Sequence, residues 1–169
     1  MSFLKRALLA TLLVAPFSSH AFALDKPTGE VILTVTGPNL QHPNAGAAAE
    51  FDLAMLEALK GRTGTMETPW TEGKVTFSGP LLHEVLAAAG AQGTTIKVRA
   101  LNDYAAEIPM EDATDLDTIL ATRMNGETMS IRSKGPLFLI YPFDQDKNLY
   151  NEKYFSRSVW QIKAIEVTP

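Results

Sequence analysis

The sequence predicts an α+β domain in which a mostly antiparallel or mixed β-sheet is combined with two main helices. Three features lead to this prediction: stretches of alternating apolar and polar residues, two stretches with apolar residues at helical spacing, and one Asn-Gly turn between strand-like runs. The first alternating stretch is GEVILTVTG, from Gly29, and the last is SVWQIKAIEV, from Ser158. No linker, repeat or low-complexity tract divides the chain, so we expect a single domain.

The two helices are indicated by local start and stop signals. In FDLAMLEALKG, Asp52 is an N-cap candidate, leucines recur on one helical face, and Gly61 is the expected stop. TGTMETP and KVTFSG have the character of short strands on either side of Trp70. GPLLHEVLAAAGA then predicts the second helix, with Pro80 near its first turn and Gly90 closing it.

The second half of the chain is predicted to be mainly strands. TTIKVRAL and AAEIP are expected to pair through a turn at residues 102–104, and MEDATDLD is expected to form a capped helical turn or a loop. Asn125-Gly126 separates two strand-like runs and is the strongest hairpin signal in the chain. GPLFLIYP has the length and apolar character of a buried strand.

The first 23 residues have the pattern of a secretory signal peptide. Lys5 and Arg6 precede a short apolar run, and Ala21 and Ala23 form a small-x-small cleavage site. We therefore expect residues 1–23 to be removed, residues 24–169 to form the domain, and the protein to reside in the periplasm. The apolar run is well short of the roughly 20 residues that a membrane-spanning helix needs, and no later segment is longer, so we expect no membrane insertion.

Composition excludes several classes of function. The chain has a formal net charge of −4, and loss of Lys5 and Arg6 makes it more negative, so neither nucleic acid nor an anionic membrane surface is an expected partner. It contains no cysteine, which excludes disulfides and thiolate chemistry. The two histidines after the signal peptide, His42 and His83, have no carboxylate at ligand spacing, so we expect no zinc site.

Known catalytic and metal-binding motifs are incomplete or absent in the sequence. DQDKNLYNE, from Asp144, imitates the first half of a calcium loop, but Leu149 stands where the loop needs Gly and Phe155 where it needs Glu. We therefore expect a surface loop there. No G-x-S-x-G, S-x-x-K or phosphate-binding glycine loop is present, so the sequence supports neither a hydrolase nor a nucleotide-binding function.

The order of segments resembles the molybdopterin-binding domain of the sulfite-oxidase family, and the likeness is strongest from Val75 onward. In that family the matching segments are a Trp-Gly-Leu helix start, an Asp-Gly-Tyr hairpin, an Asn-Gly turn with a Gly-Pro strand, and a closing Trp strand. Here they read FSGPLLHEVLAAAGA, VRALNDYAAEIPMEDA, ILATRMNGETMSIRSKGPLFLIYP and SVWQIKAIEV. The resemblance implies a minimal sulfite-oxidase-like fold in which the Asn102–Tyr104 turn borders the cofactor cleft.

The resemblance also identifies what this chain lacks. The family binds molybdenum through a cysteine thiolate at a strand end, where this chain offers Thr68 in TMETPW. A threonine hydroxyl is a harder ligand and loses its proton far less readily than a thiol. Where the family has an arginine and a lysine, this chain has Phe138 and Val159. The start of the chain also lacks a full twin-arginine signal, which folded, cofactor-loaded proteins use for export.

The resemblance implies that residues from several segments line one cleft. The candidates are Thr68, Trp70, Asn102, Asp103, Tyr104, Arg132, Lys134, Arg157 and Trp160. Arg132 and Arg157 are the cations expected to pair with Asp103. No catalytic residue and no metal ligand is assigned.

From these considerations we expect a periplasmic binding protein that has lost molybdenum redox chemistry and has no cofactor. Its partner would be a small-molecule ligand or another periplasmic or membrane-anchored protein. One alternative is an active molybdopterin-dependent oxidoreductase of the sulfite-oxidase class, which would hold the molybdopterin cofactor without a thiolate. The other is a structural or interaction module with no ligand. The sequence leaves open whether the protein is an enzyme.

Overall fold

A computed structural model describes residues 24–169, and the predicted signal peptide lies outside these residues. Within this range the helices are α1 (Leu53–Ala58), α2 (Leu82–Ala89), α3 (Glu111–Thr114) and α4 (Glu152–Arg157). The strands are β1 (Val31–Thr36), β2 (Ala49–Asp52), β3 (Gly61–Glu67), β4 (Lys74–Pro80), β5 (Thr95–Ala100), β6 (Ala105–Pro109), β7 (Ile119–Ala121), β8 (Arg123–Met124), β9 (Glu127–Thr128), β10 (Phe138–Ile140) and β11 (Ile162–Thr168). The predicted α+β class is confirmed.

The largest sheet is formed by both ends of the described chain. Its five strands lie in the order β2-β1-β11-β5-β6. The pair β1 and β11 is parallel, with Val35 opposite Ile165, and the other neighbours are antiparallel. Strand β11 is therefore inserted between the first strand and the β5–β6 hairpin. The sheet is mixed, as the sequence predicts.

The remaining strands form two smaller sheets. One has the order β3-β4-β8-β9, and the other pairs β10 with β7. The turn between β8 and β9 has Asn125 at φ 52° and Gly126 at φ 84°, the left-handed conformations that a two-residue hairpin requires. The predicted Asn-Gly hairpin is thus present.

A continuous apolar core joins the sheets and α2. Helix α2 buries Leu82, Val85, Leu86 and Ala89, in agreement with the predicted face, and it ends at Gly90, which has φ 66°. The four largest fully buried side chains are aromatic, namely Tyr141, Phe51, Phe77 and Phe138. Burial of such rings supplies much of the stability of a chain that has no disulfide.

Several local predictions differ from the structure. Gly61 does not end α1 but begins β3, where a Cβ atom would overlap the backbone carbonyl of Gly79. Pro80 is the last residue of β4 and precedes α2. The predicted surface loop after Asp144 contains a 3-10 turn at Lys147–Leu149 and leads into α4, whose N-cap Asn151 accepts a hydrogen bond from the Lys153 N–H.

Within residues 24–169, no helix combines the length and the apolar character that crossing a bilayer demands.

Asp52 ties the first described residues to α1. Its Oδ1 accepts a hydrogen bond from the Met55 N–H, and its Oδ2 accepts from the N–H groups of Thr28 and Gly29, at 2.8–2.9 Å. These donors favour the charged carboxylate and hold the pKa of Asp52 below its ordinary value of 3.8. The predicted N-cap is therefore present and makes two further contacts.

We predict that Asp52→Asn lowers the melting temperature at neutral pH, because the amide NH₂ would face backbone N–H donors. The folded-state pKa is lowered, so the contribution of the carboxylate is complete above the ordinary pKa and is lost as pH falls through the folded-state value. Melting temperatures of both proteins from neutral pH to about pH 2 should therefore converge in acid. Asp25→Asn, at an exposed position, is the control. A gap that stays constant with pH would contradict this assignment.

Candidate functional site

A pocket of about 450 Å³ opens where three segments meet. The turn after β3, the turn between β5 and β6, and the segment from α4 to Trp160 each form one wall. The residues that line it are Trp70, Ala100, Asn102, Tyr104, Glu152, Phe155, Ser156, Ser158, Val159 and Trp160. Four of these side chains are aromatic, which gives the pocket a largely apolar wall with polar groups at a few points.

Trp70 forms one wall and is fixed by its own turn and by other rings. The Thr68 Oγ1 accepts a hydrogen bond from the Trp70 N–H at 3.3 Å and lies 2.8 Å from the Thr71 Oγ1. The Trp70 ring makes edge-to-face contacts with Phe138, Phe155 and Trp160, at centroid distances of 5.5, 5.7 and 5.9 Å. Contacts of this kind stabilise one ring orientation beyond the area they bury.

The Asn102–Tyr104 turn forms the second wall. Asp103 has φ 64°, and the Asn102 Oδ1 accepts a hydrogen bond from the Tyr104 N–H at 3.2 Å, as in an Asx-turn. The Tyr104 hydroxyl donates to the Ser156 carbonyl oxygen at 3.2 Å, although half of the residue (51%) remains exposed. Tyr104 therefore bridges this turn to α4 across one side of the pocket.

Helix α4 forms the third wall of the pocket, and a buried cluster of Asp112, Tyr141 and Arg157 holds it in position. Asp112, in α3, is 5% exposed, and its Oδ2 accepts hydrogen bonds of 2.7 Å from the Tyr141 hydroxyl and from an Arg157 guanidinium nitrogen. Burial and the Asp112 carboxylate raise the pKa of Tyr141 far above its ordinary value, so the phenol keeps its proton and donates. Arg157 is the last residue of α4, so the ion pair holds this helix against α3.

Four of the nine predicted residues meet in this pocket: Trp70, Asn102, Tyr104 and Trp160. Thr68 is buried and supports Trp70 without lining the pocket. Whether these residues bind a ligand stays a prediction.

The predicted charged residues lie elsewhere. Asp103 pairs with Lys163 at 2.8 Å rather than with Arg132 or Arg157, and the Lys163 ammonium holds the pKa of Asp103 below its ordinary value. Arg157 pairs with Asp112. Arg132 is exposed in a 3-10 turn. The Lys134 Nζ lies 4.8 Å from the centroid of the Trp160 ring, but the residue does not line the pocket.

The pocket residues missed by the sequence analysis belong mainly to α4 and the segment after it. Glu152, Phe155, Ser156 and Ser158 line the pocket. A usable signal existed, because Asn151 followed by Glu152 is a typical helix start, and Asn151 is indeed the N-cap.

The pocket has few side chains that could ligate a metal ion. Glu152 is the only charged residue among its lining residues. Across residues 24–169, no group of three or more His, Cys, Asp or Glu side chains is arranged to hold a metal.

Comparison with protein families gives a match. The model of the oxidoreductase molybdopterin binding domain matches residues 52–168. This range includes all three walls of the pocket and all nine predicted residues. A search of curated proteins found no match.

We predict that Tyr141→Phe lowers the free energy of unfolding by about 1.5–3 kcal/mol, since it removes a buried hydrogen bond to a charged acceptor. Tyr150→Phe is the matched control, because Tyr150 is 46% exposed; we expect a change within about 0.5 kcal/mol. Urea denaturation measures both values. Equal losses in the two variants would show that the Asp112 contact does not stabilise the fold.

Proposed function

The chain belongs to the oxidoreductase molybdopterin-binding domain family, and we propose that it is an exported binding protein of this family without molybdenum redox chemistry. Its ligand would be a small organic molecule held in the pocket between Trp70, Tyr104 and α4. The observation that carries the proposal is the composition of this pocket, which is aromatic and has one carboxylate as its only charged lining group. Such a pocket suits recognition of an organic molecule more than metal-based redox chemistry.

The donor set does not fit a molybdenum centre. The chain has no cysteine, and the Thr68 hydroxyl, which stands where we place the family's ligand, is engaged with the Trp70 N–H and the Thr71 hydroxyl. A neutral hydroxyl that already makes these contacts is a poor replacement for a thiolate. Thr68 therefore offers molybdenum no equivalent of the thiolate ligand.

The charged side chains at the pocket are also poorly suited to bind molybdopterin. Molybdopterin carries a phosphate, and phosphate sites in proteins are typically built from arginine, lysine or backbone N–H groups. Glu152, which lines the pocket, would repel a phosphate, and the neighbouring Arg157 is paired with Asp112. The arginine and lysine that the resemblance implies are replaced by Phe138 and Val159, which are buried core residues.

Export is the second part of the proposal. It is supported by the basic start, short apolar run and Ala21-x-Ala23 site of residues 1–23. We propose that the chain crosses the membrane unfolded and works in the periplasm. A chain exported in this way would have to acquire any ligand after crossing.

We predict that protein purified from its native compartment contains far less than one molybdenum atom per chain. Elemental analysis measures the metal content. Near-stoichiometric molybdenum would overturn the proposal and favour the active oxidoreductase of the sulfite-oxidase class.

We also predict that small organic molecules change the tryptophan fluorescence of the purified protein in a saturable way. The chain has two tryptophans, Trp70 and Trp160, and both line the pocket, so their emission reports directly on its occupancy. Ser156→Phe, which places a ring in the pocket, should abolish the response. Lys153→Phe, at a neighbouring α4 position outside the lining, should preserve it. If no compound in a chemically broad library produced a saturable change, the remaining explanation would be a protein partner or a module without a ligand.

We predict that the exported protein begins at Leu24. Fractionation of cells followed by N-terminal sequencing tests the cleavage site and the compartment together. Ala23→Asp should block processing, because signal peptidase requires a small residue before the cleaved bond. A cytoplasmic protein that retains its first residues would contradict the proposed export.

A further inference from the structure

The pocket described above has a charge and hydrogen-bonding pattern that selects among ligands. Resting on the proposed function, we infer that it takes an organic cation with apolar substituents, of which alkylated ammonium groups are the simplest examples. Three independent observations support this ligand class: the aromatic wall, the direction of the hydroxyl hydrogen bonds, and the placement of the charges.

The aromatic wall provides surfaces that attract cations. Trp70, Tyr104, Phe155 and Trp160 all line the pocket. The electron-rich faces of such rings attract ammonium groups, and alkyl substituents on the cation make apolar contacts with the same rings. The Trp160 indole already has the Lys134 ammonium 4.8 Å from its centroid. This ring therefore has a geometry that is compatible with an adjacent positive charge.

The hydroxyl groups that line the pocket use their hydrogens within the protein. The Ser156 Oγ donates to the Lys153 carbonyl oxygen at 2.9 Å, and the Ser158 Oγ donates to the Tyr154 carbonyl oxygen at 2.8 Å. The Tyr104 hydroxyl donates to the Ser156 carbonyl oxygen. Each hydroxyl retains only acceptor lone pairs, and acceptors suit a ligand that is positively charged or donates hydrogen bonds.

The charges near the pocket also favour a cation. Glu152 lines it, whereas the neighbouring basic residues Arg157 and Lys163 are paired with Asp112 and Asp103. An anion would meet the Glu152 carboxylate without a lining cation to offset it. The full chain has a net charge of −4, and loss of Lys5 and Arg6 with the signal peptide makes it more negative, which gives a weak long-range attraction for cations. The Lys134 ammonium, beside the Trp160 ring, would instead repel a bound cation, so a variant without this charge tests the effect.

The test compares a cation with its uncharged isostere. Choline and 3,3-dimethylbutan-1-ol have nearly the same shape and differ by the charge on the quaternary centre. Both are titrated into the purified protein by tryptophan fluorescence and by calorimetry, with sodium acetate as the anionic probe. We expect choline to bind about tenfold more tightly than the alcohol, a ratio typical of cation–π recognition, and acetate to produce no response.

Two substitutions separate the contributions. Glu152→Gln should weaken choline binding about threefold to tenfold and leave the alcohol unchanged, since it removes a charge without changing the size of the side chain. Glu127→Gln, at an exposed position in β9 outside the pocket, is the matched control. Lys134→Gln should strengthen choline binding, because an ammonium group beside Trp160 is removed.

The results distinguish this inference from the proposed function on which it rests. Equal affinity for choline and the alcohol, or tighter binding of acetate, would overturn the cation preference while leaving a small-molecule binding protein in place. Absence of a response to choline would also overturn it, and the broad library would then decide whether the pocket binds any small molecule. Weaker choline binding by Lys134→Gln would contradict the role assigned to the charges.

Discussion

The pocket depends on one buried interaction, the contact of the Asp112 carboxylate with Tyr141 and Arg157. A carboxylate that is 5% exposed needs strong partners, and here it has a phenol and a guanidinium, each at 2.7 Å. Asp112 lies in α3, Tyr141 directly follows β10, and Arg157 is the last residue of α4. Helix α4 has six residues, too few to be stable by itself, so its position depends on such tertiary contacts. The cluster therefore positions the third wall of the pocket, together with the Tyr104–Ser156 hydrogen bond and the Trp70–Phe155 ring contact.

The same cluster accounts for the balance of charge at the site. Arg157 lies between Ser156 and Ser158, which both line the pocket, yet its guanidinium is directed to Asp112. The Arg157 guanidinium could otherwise attract an anionic ligand, but here it stabilises the fold through its ion pair with Asp112. In the Asn102–Tyr104 turn, Asp103 is similarly paired with Lys163. What remains at the pocket is an aromatic surface with hydroxyl acceptors, the Glu152 carboxylate and the Asn102 amide, a chemistry different from that implied by the family's metal-binding cysteine and basic residues.

Local features were predictable from the sequence, because their causes lie within a few residues. Asp52 is the N-cap of α1, Gly90 closes α2, and Asn125-Gly126 forms the predicted hairpin. Gly61 was misassigned because its role depends on the approach of Gly79 from another strand, which the spacing of residues does not reveal.

The site was predictable only in part, for a related reason. The turn at Asn102 and the rings of Trp70 and Trp160 follow from the order of segments in the family, and the structure brings them together. Which acidic side chain a basic side chain pairs with depends on residues that are far apart in the sequence. Arg157 and Asp112 are separated by 45 residues, so pattern reasoning could not show that this cation is unavailable to a ligand. The family resemblance likewise gave no reason to place α4 beside the turn.

The insertion of β11 between β1 and β5 has a consequence for the order of folding. Strand β11 is the last strand within residues 24–169. A polypeptide that is made from its amino end therefore cannot complete the largest sheet until nearly all of these residues have been made. Pairing of β1 with β11 joins residues 34 and 164, a contact of high sequence separation that slows the search for the native topology. Such a delay keeps a newly made polypeptide unfolded for longer, a property that the proposed export of an unfolded chain would use.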